Sequence, residues 1–253
     1  MIRFKLRIIT LSFFLLLSSI VPSLGAGTGG ELLKVDWSFK GLTGKFDRAS
    51  LQRGFQVYKE VCSSCHSMQY LSYRNLGEPG GPEFSEQEVK AIAASIEIED
   101  GPDNQGEMFT RPGRPADKFK SPYPNVNASI AANGGAYPPD MSVLVKARPG
   151  GSNYIYSVLM GYEDPPAGMT LDDGVYYNKY MIGNKIKMSS PLSEGIVEYS
   201  DGTQPTVDQM AKDVTTFLTW SAEPELEERH ETGVKVIIYL VLLTTLVDRK
   251  SVV

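Results

Sequence analysis

Both cysteines of this 253-residue chain, Cys62 and Cys65, and one of its two histidines, His66, fall within five consecutive positions of the segment YKEVCSSCHSMQY. No other feature constrains the fold as strongly, because the surrounding chain has to be built to serve one chemical centre. A disulfide between the two thiols would close a very small loop and leave His66 without a role. A dithiol redox site belongs with a βαβ surround, and a zinc site needs a second ligand cluster; the sequence offers neither.

What remains is C-x-x-C-H, the attachment signature of c-type haem. Its two thiols add to the two vinyl groups of one porphyrin, and the adjacent imidazole binds the iron. Cys62 and Cys65 are therefore the candidate attachment points and His66 the candidate axial ligand. The sixth ligand decides what such a centre does: an open position suits gas or peroxide chemistry, and a second strong protein ligand suits electron transfer. His230 lies in the charged run before the carboxyl-terminal apolar segment and reads as a solvated juxtamembrane histidine. Met68 follows His66 too closely to reach the opposite haem face. Met188, in NKIKMSSPL, stands among small residues ahead of Pro191, in a segment without regular period, where a thioether can approach iron with no helix in the way. Met141, Met160, Met169 and Met181 remain open on these grounds, since methionine is commonly core filler.

The two ends of the chain are apolar. Arg3, Lys5 and Arg7 precede an apolar run over 8–17 and small residues near Gly25 and Ala26, the pattern of a secretory signal peptide over 1–26. Its short basic start looks bacterial. Removing those three cations takes the net charge from −5 to −8, which argues against nucleic acid and for a cationic partner. At the other end, a charged juxtamembrane segment over 221–233 leads into VKVIIYLVLLTTLV over 234–247, which reads as a transmembrane helix. Those 14 residues rise only about 21 Å against roughly 30 Å of hydrocarbon. The last six residues, DRKSVV, correspond to one reading frame of a common sequencing-library adapter. The expectation is that 248–253 are not protein-derived and that the natural span is longer.

Between the ends lies one domain, over 27–220. Asp47 predicts an N-cap for a helix with Leu51, Phe55 and Tyr58 on its apolar face, running directly into Cys62. Ser85 and Glu88 form a capping box for a second helix bearing Val89, Ile92, Ala93 and Ile96. From Gly101 to Pro139, Pro, Gly, Asp and Asn dominate and predict a long loop region. Asn153 is expected to cap a short helix ended by Gly161, and irregular chain resumes to Pro191. Thr206 and Gln209 predict a capping box for a helix bearing Val207, Met210, Ala211, Val214, Phe217 and Leu218, packed against the helix that carries Gly54 and Phe55. No strand of useful length is expected. The fold class is therefore mainly α: a c-type cytochrome domain with long irregular loops plus one carboxyl-terminal transmembrane helix.

From about Trp37 onward the chain resembles the cytochrome c1 family, the haem subunits of ubiquinol:cytochrome c reductase (cytochrome bc1) complexes. The resemblance rests on an ordered set of segments: RGFQVYKEVCSSCHSM, DGPDNQGEMFTRPGRPAD, SPYPNVNASIAANGGAYPPDMS, KARPGGSNYIYSVLMGYEDPPAGM, YYNKYMIGNKIKM and DGTQPTVDQMAKDVTTFLTWSAEPE. It implies one covalently bound haem c with iron held by His66 and Met188. It further implies that Pro138 and Pro139 pack on the porphyrin, that Arg148 pairs with a propionate, and that Asn133 and Tyr154 line the pocket. The implied partners are cytochrome b, the Rieske iron-sulfur protein, a soluble or membrane-tethered cytochrome c, and membrane lipid. The implied place is the bacterial inner membrane with the haem domain facing the periplasm. With no cysteine pair outside the haem motif, the extra disulfide of some bacterial members cannot form. A haem subunit of a terminal oxidase, and a haem peroxidase or gas sensor, are the rival readings. Acidic segments such as IEIED are expected to steer a basic cytochrome c.

Overall fold

The computed structural model of the chain describes residues 30–248. The leader expected over 1–26 and the residues after Asp248 lie outside them. Among the described residues there are six α-helices: α1 Arg48–Glu60, α2 Glu86–Ala94, α3 Val126–Ala132, α4 Ser152–Met160, α5 Val207–Ala222 and α6 Leu226–Asp248. Two antiparallel hairpins accompany them, β1 Glu97–Asp100 with β2 Phe109–Pro112, and β3 Tyr176–Tyr177 with β4 Lys185–Ile186. The remainder of the described residues is turn, loop and short 3₁₀ segments.

The centre of the domain is the crossing of α1 and α5. Asp47 caps α1 by accepting from the Ser50 amide, and Thr206 caps α5 by accepting from the Gln209 amide. The helices approach so closely that a Cβ added at Gly54 would stand 2.1 Å from the Asp213 carbonyl oxygen. Glycine is required there by contact with the opposing backbone. Around the crossing, Phe55 and Tyr58 meet Phe217 at ring separations of 5.7 and 5.8 Å, and Leu51, Met210, Phe217 and Trp220 are almost wholly buried. Asp213 is also fully buried, and its carboxylate is satisfied from three sides by Ser50 Oγ (2.7 Å), Arg53 Nε (2.8 Å) and Gln209 Nε2 (3.0 Å). Partial burial opposes the charge on Arg53, but hydrogen bonds to Asp213 and Asp201 outweigh it and raise the guanidinium pKa.

Several local expectations are corrected. Asn153 does not cap α4. The N-cap is Gly151, at φ +54°, and the Asn153 side chain instead accepts from Trp37 Nε1 at 2.7 Å. At α5 the capping box is half made, because Gln209 turns its side chain to Asp213 rather than back to Thr206. At α2 the box is complete, with Glu88 Oε2 accepting from the Ser85 amide. This second helix stops at Ala94, and Glu97–Asp100 becomes a strand. Arg111 on β2 secures it by reaching back to Asp100 and, with two bonds, to Asp117.

The carboxyl-terminal helix begins earlier than the apolar run. Chain direction changes at Glu223-Pro224-Glu225, and α6 then runs unbroken for 23 residues, so the charged approach is itself helical. It is the one helix among the described residues long and apolar enough to cross a membrane, over Leu226–Val247. Its first turns are tied to the domain. Arg48 grips Glu227 with two bonds (2.7 and 2.8 Å), and the Phe46 amide donates to the same carboxylate (2.8 Å). His230, expected to be solvated, is half-buried with Nδ1 3.0 Å from the Gly44 carbonyl oxygen.

Candidate functional site

The motif sits where α1 ends. Val61 is the C-cap, and the chain tightens into a single 3₁₀ turn over Cys62–Ser64. The amides of Cys65 and His66 both donate to the Cys62 carbonyl (3.1 and 2.9 Å), which folds the two thiols and the imidazole around one turn. Both cysteines are free and partly buried. Burial, with Cys65 close by, pushes the Cys62 thiol up to about 12, so it stands protonated at neutral pH.

His66 is buried, and its Nδ1 lies 2.8 Å from the carbonyl oxygen of Pro139. Burial lowers its pKa, against the opposing influences of that carbonyl and of Asp140. A neutral imidazole donating from Nδ1 to a backbone carbonyl has Nε2 free as a ligand, the usual arrangement of a metal-binding histidine. Of the two prolines expected beside the porphyrin, Pro139 presents its carbonyl oxygen to the imidazole.

Asp140 holds that turn in place and was not singled out from the sequence. Its carboxylate accepts from Ser67 Oγ (2.7 Å), the Gln69 amide (3.0 Å) and the Ser142 amide (2.9 Å). The Met141 amide donates to the Ser67 carbonyl (2.8 Å) beside it. Partial burial works against the Asp140 charge, but the bonds from Ser142, Gln69 and Ser67 prevail and lower its pKa. One sequence signal pointed to it: Asp140 is the only charged residue between Lys120 and Lys146.

The other site residues are reached through loops. Asn133 is the C-cap of α3, with its side chain on the Ser129 carbonyl (2.7 Å). The turn after it receives Lys187 Nζ on the Gly134 carbonyl (3.1 Å), which brings the segment of Met188 against the segment that carries Pro138 and Pro139. Met188 is half-buried against the core, and its carbonyl accepts from Tyr162 Oη at 3.1 Å. Tyr154 is buried in α4 and directs its hydroxyl to Met181 Sδ at 3.1 Å. Arg148 is exposed in the turn before α4, bonded only to its neighbour's carbonyl among the described residues. Its guanidinium has no carboxylate there and is chemically free for an external one.

The remaining methionines sort by environment. Met68, Met141 and Met210 are core residues. Met181 has its sulfur engaged by Tyr154. A cleft of about 610 Å³ opens on the Cys65 side of the motif, lined in part by Cys65, Ser67, Ser129, Tyr137 and Pro138. The donor set fits haem c: two free thiols on one turn, one imidazole with its second nitrogen fixed, and an exposed guanidinium.

Residues 37–250 match the Cytochrome C1 family. The chain is 52% identical over 214 residues to cytochrome c1-2, heme protein, mitochondrial, of Solanum tuberosum, covering 85% of this chain and 81% of that one. It is 48% identical over 238 residues to cytochrome c1 of Rhodospirillum rubrum, covering 87% and 86%. It is 50% identical over 229 residues to a protein named cytochrome b/c1 in Bradyrhizobium diazoefficiens, covering 83% of this chain but 33%, about one third, of that longer protein. The chain belongs to the cytochrome c1 family, whose cofactor is covalently bound haem c.

Proposed function

We propose that this chain is the electron-transferring haem subunit of a cytochrome bc1 complex, taking one electron from a Rieske iron-sulfur protein and passing it to a soluble or tethered cytochrome c. The observation that carries this reading is the His66–Pro139 contact in a chain of this family, because it fixes one imidazole nitrogen and frees the other for iron. Bound haem c supplies a single iron centre that changes oxidation state by one electron. Everything else is the work of side chains and backbone. Cys62 and Cys65 would hold the porphyrin covalently, and His66 would ligate the iron. Met188 would be the second ligand, and its carbonyl anchorage supports that role. Pro138, Pro139, Asn133 and Tyr154 shape and dry the pocket, and Arg148 receives a propionate. Two strong protein ligands would favour electron transfer over small-molecule chemistry.

The anchor is α6, and its apolar face, exposed throughout Val236–Val247, fits lipid rather than solvent. The match of this chain to one third of a protein named cytochrome b/c1 supports cytochrome b as a partner. The leader expected over 1–26 supports a haem domain in the periplasm of a bacterium, at the inner membrane. The test is purification of the complex from native membranes through a tag on this chain. Co-purification of cytochrome b and the Rieske protein, with a c-type reduced-minus-oxidised spectrum, is the expected result. Co-purification with oxidase subunits instead would overturn it.

A further inference from the structure

Met188 lies two residues beyond β4, in chain with no helical or sheet hydrogen bonding of its own, and a ligand in such a segment has to be held from outside. We propose that Tyr162 is the positioning residue that holds Met188 in its ligating place, an inference that rests on the reading of Met188 as an axial ligand. Tyr162 follows Gly161, the C-cap of α4, so its backbone is fixed by the end of a buried helix. It also forms an isolated antiparallel bridge with Asn178. Asn178 is wholly buried, donates from Nδ2 to the Val158 carbonyl at 2.7 Å, and accepts from the Tyr180 amide at 3.1 Å. From that rigid base the Tyr162 ring reaches across to the loop, and its hydroxyl donates to the Met188 carbonyl at 3.1 Å.

The contact is well suited to a permanent tether. The hydroxyl is partly shielded from water and donates to a backbone carbonyl across 26 positions of chain. The bond is made to backbone rather than to sulfur, and so fixes the segment while leaving the thioether lone pairs available. The second tether, Lys187 Nζ to the Gly134 carbonyl, is solvent-exposed and on a flexible stem. Tyr162 is thus the less exposed restraint of the two. Tyr154 contrasts with it by donating to the sulfur of Met181.

The experiment compares four forms of the tagged holoprotein in its complex: wild type, Tyr162→Phe, Tyr156→Phe and Met188→Leu. Tyr156 lies in α4 and bonds Asp208, so its variant reports loss of a part-buried phenol hydroxyl away from Met188. Two quantities are read, the rate of carbon monoxide binding to the reduced protein and the urea midpoint of the sulfur-to-iron charge-transfer band set against that of the helical circular dichroism. Tyr162→Phe is expected to keep the band in buffer and raise the carbon monoxide rate about fivefold, the population change that one lost hydrogen bond produces. It should also lose the band at lower urea than the helices. Tyr156→Phe should move both midpoints together and leave the rate unchanged. If Met188→Leu abolishes the band and Tyr162→Phe behaves like Tyr156→Phe, the positioning role is overturned while the ligand reading stands. If Met188→Leu retains the band, the ligand reading falls, and the positioning role with it.

Discussion

Asp140 is hydrogen-bonded to both sides of the site at once: it takes Ser67 and Gln69 from the haem-motif strand of chain and Ser142 from its own turn, and the residue before it, Pro139, presents its carbonyl to His66. One carboxylate therefore fixes the register between two segments 73 positions apart. Asp140→Asn is expected to lower stability by about 1 kcal/mol, the cost of weakening a set of largely part-buried hydrogen bonds. Chemical denaturation of both proteins measures it.

The same carboxylate gives a pH dependence of definite sign. The folded-state pKa of Asp140 lies below its unfolded value, so its contribution is complete above the ordinary carboxylate range of about 4 and disappears as pH falls through the folded value. The stability difference between wild type and Asp140→Asn should be constant near neutrality and shrink below about pH 4. A difference that grows on acidification would contradict the assignment.

Haem should survive acid extraction and denaturing electrophoresis in the wild type and be released when Cys62 and Cys65 are both changed to Ala. Each single variant should retain it through one thioether. In-gel haem staining distinguishes the three cases.

Met181→Leu should leave the sulfur-to-iron band in place, since that sulfur is occupied by Tyr154, and should cost about 1 kcal/mol through loss of the hydroxyl's partner. Absence of the band in this variant would reassign the ligand.

The acidic hairpin divides into working and structural charges. Glu97 and Glu99 are exposed, whereas Asp100 is held by Arg111. Glu97→Gln with Glu99→Gln should slow electron transfer to a basic cytochrome c several-fold at low salt and hardly at all at high salt, given a screening length of about 8 Å at physiological ionic strength. Asp100→Asn should instead loosen the hairpin. Stopped-flow transfer rates against ionic strength separate the two.

Legibility of the fold followed the range of the interactions. The helices α1, α2 and α5 were readable because a cap and an apolar stripe are local signals, written within four residues. The hairpins were not, since β1 owes its conformation to Arg111, eleven positions beyond Asp100. Asn153 misled for the same reason: its partner is Trp37, 116 positions away, and a glycine at positive φ takes the capping place. At the site, the thiols and imidazole could be read from spacing alone. Asp140 and Tyr162 could not, because each acts on backbone whose position only the folded chain defines.

Helix α1 carries Arg48 at its first position and hands the chain to Cys62 just past its last. Arg48 is clamped to Glu227 at the root of α6, so 13 residues of helix, about 20 Å, form a strut between that helix and the turn that carries the thiols. The strut is pinned near mid-length by Gly54 against α5 and cannot slide. The turn that carries both thiols is thereby kept at a set distance from the root of α6, so any tilt of that helix is carried as a rigid displacement to Cys62.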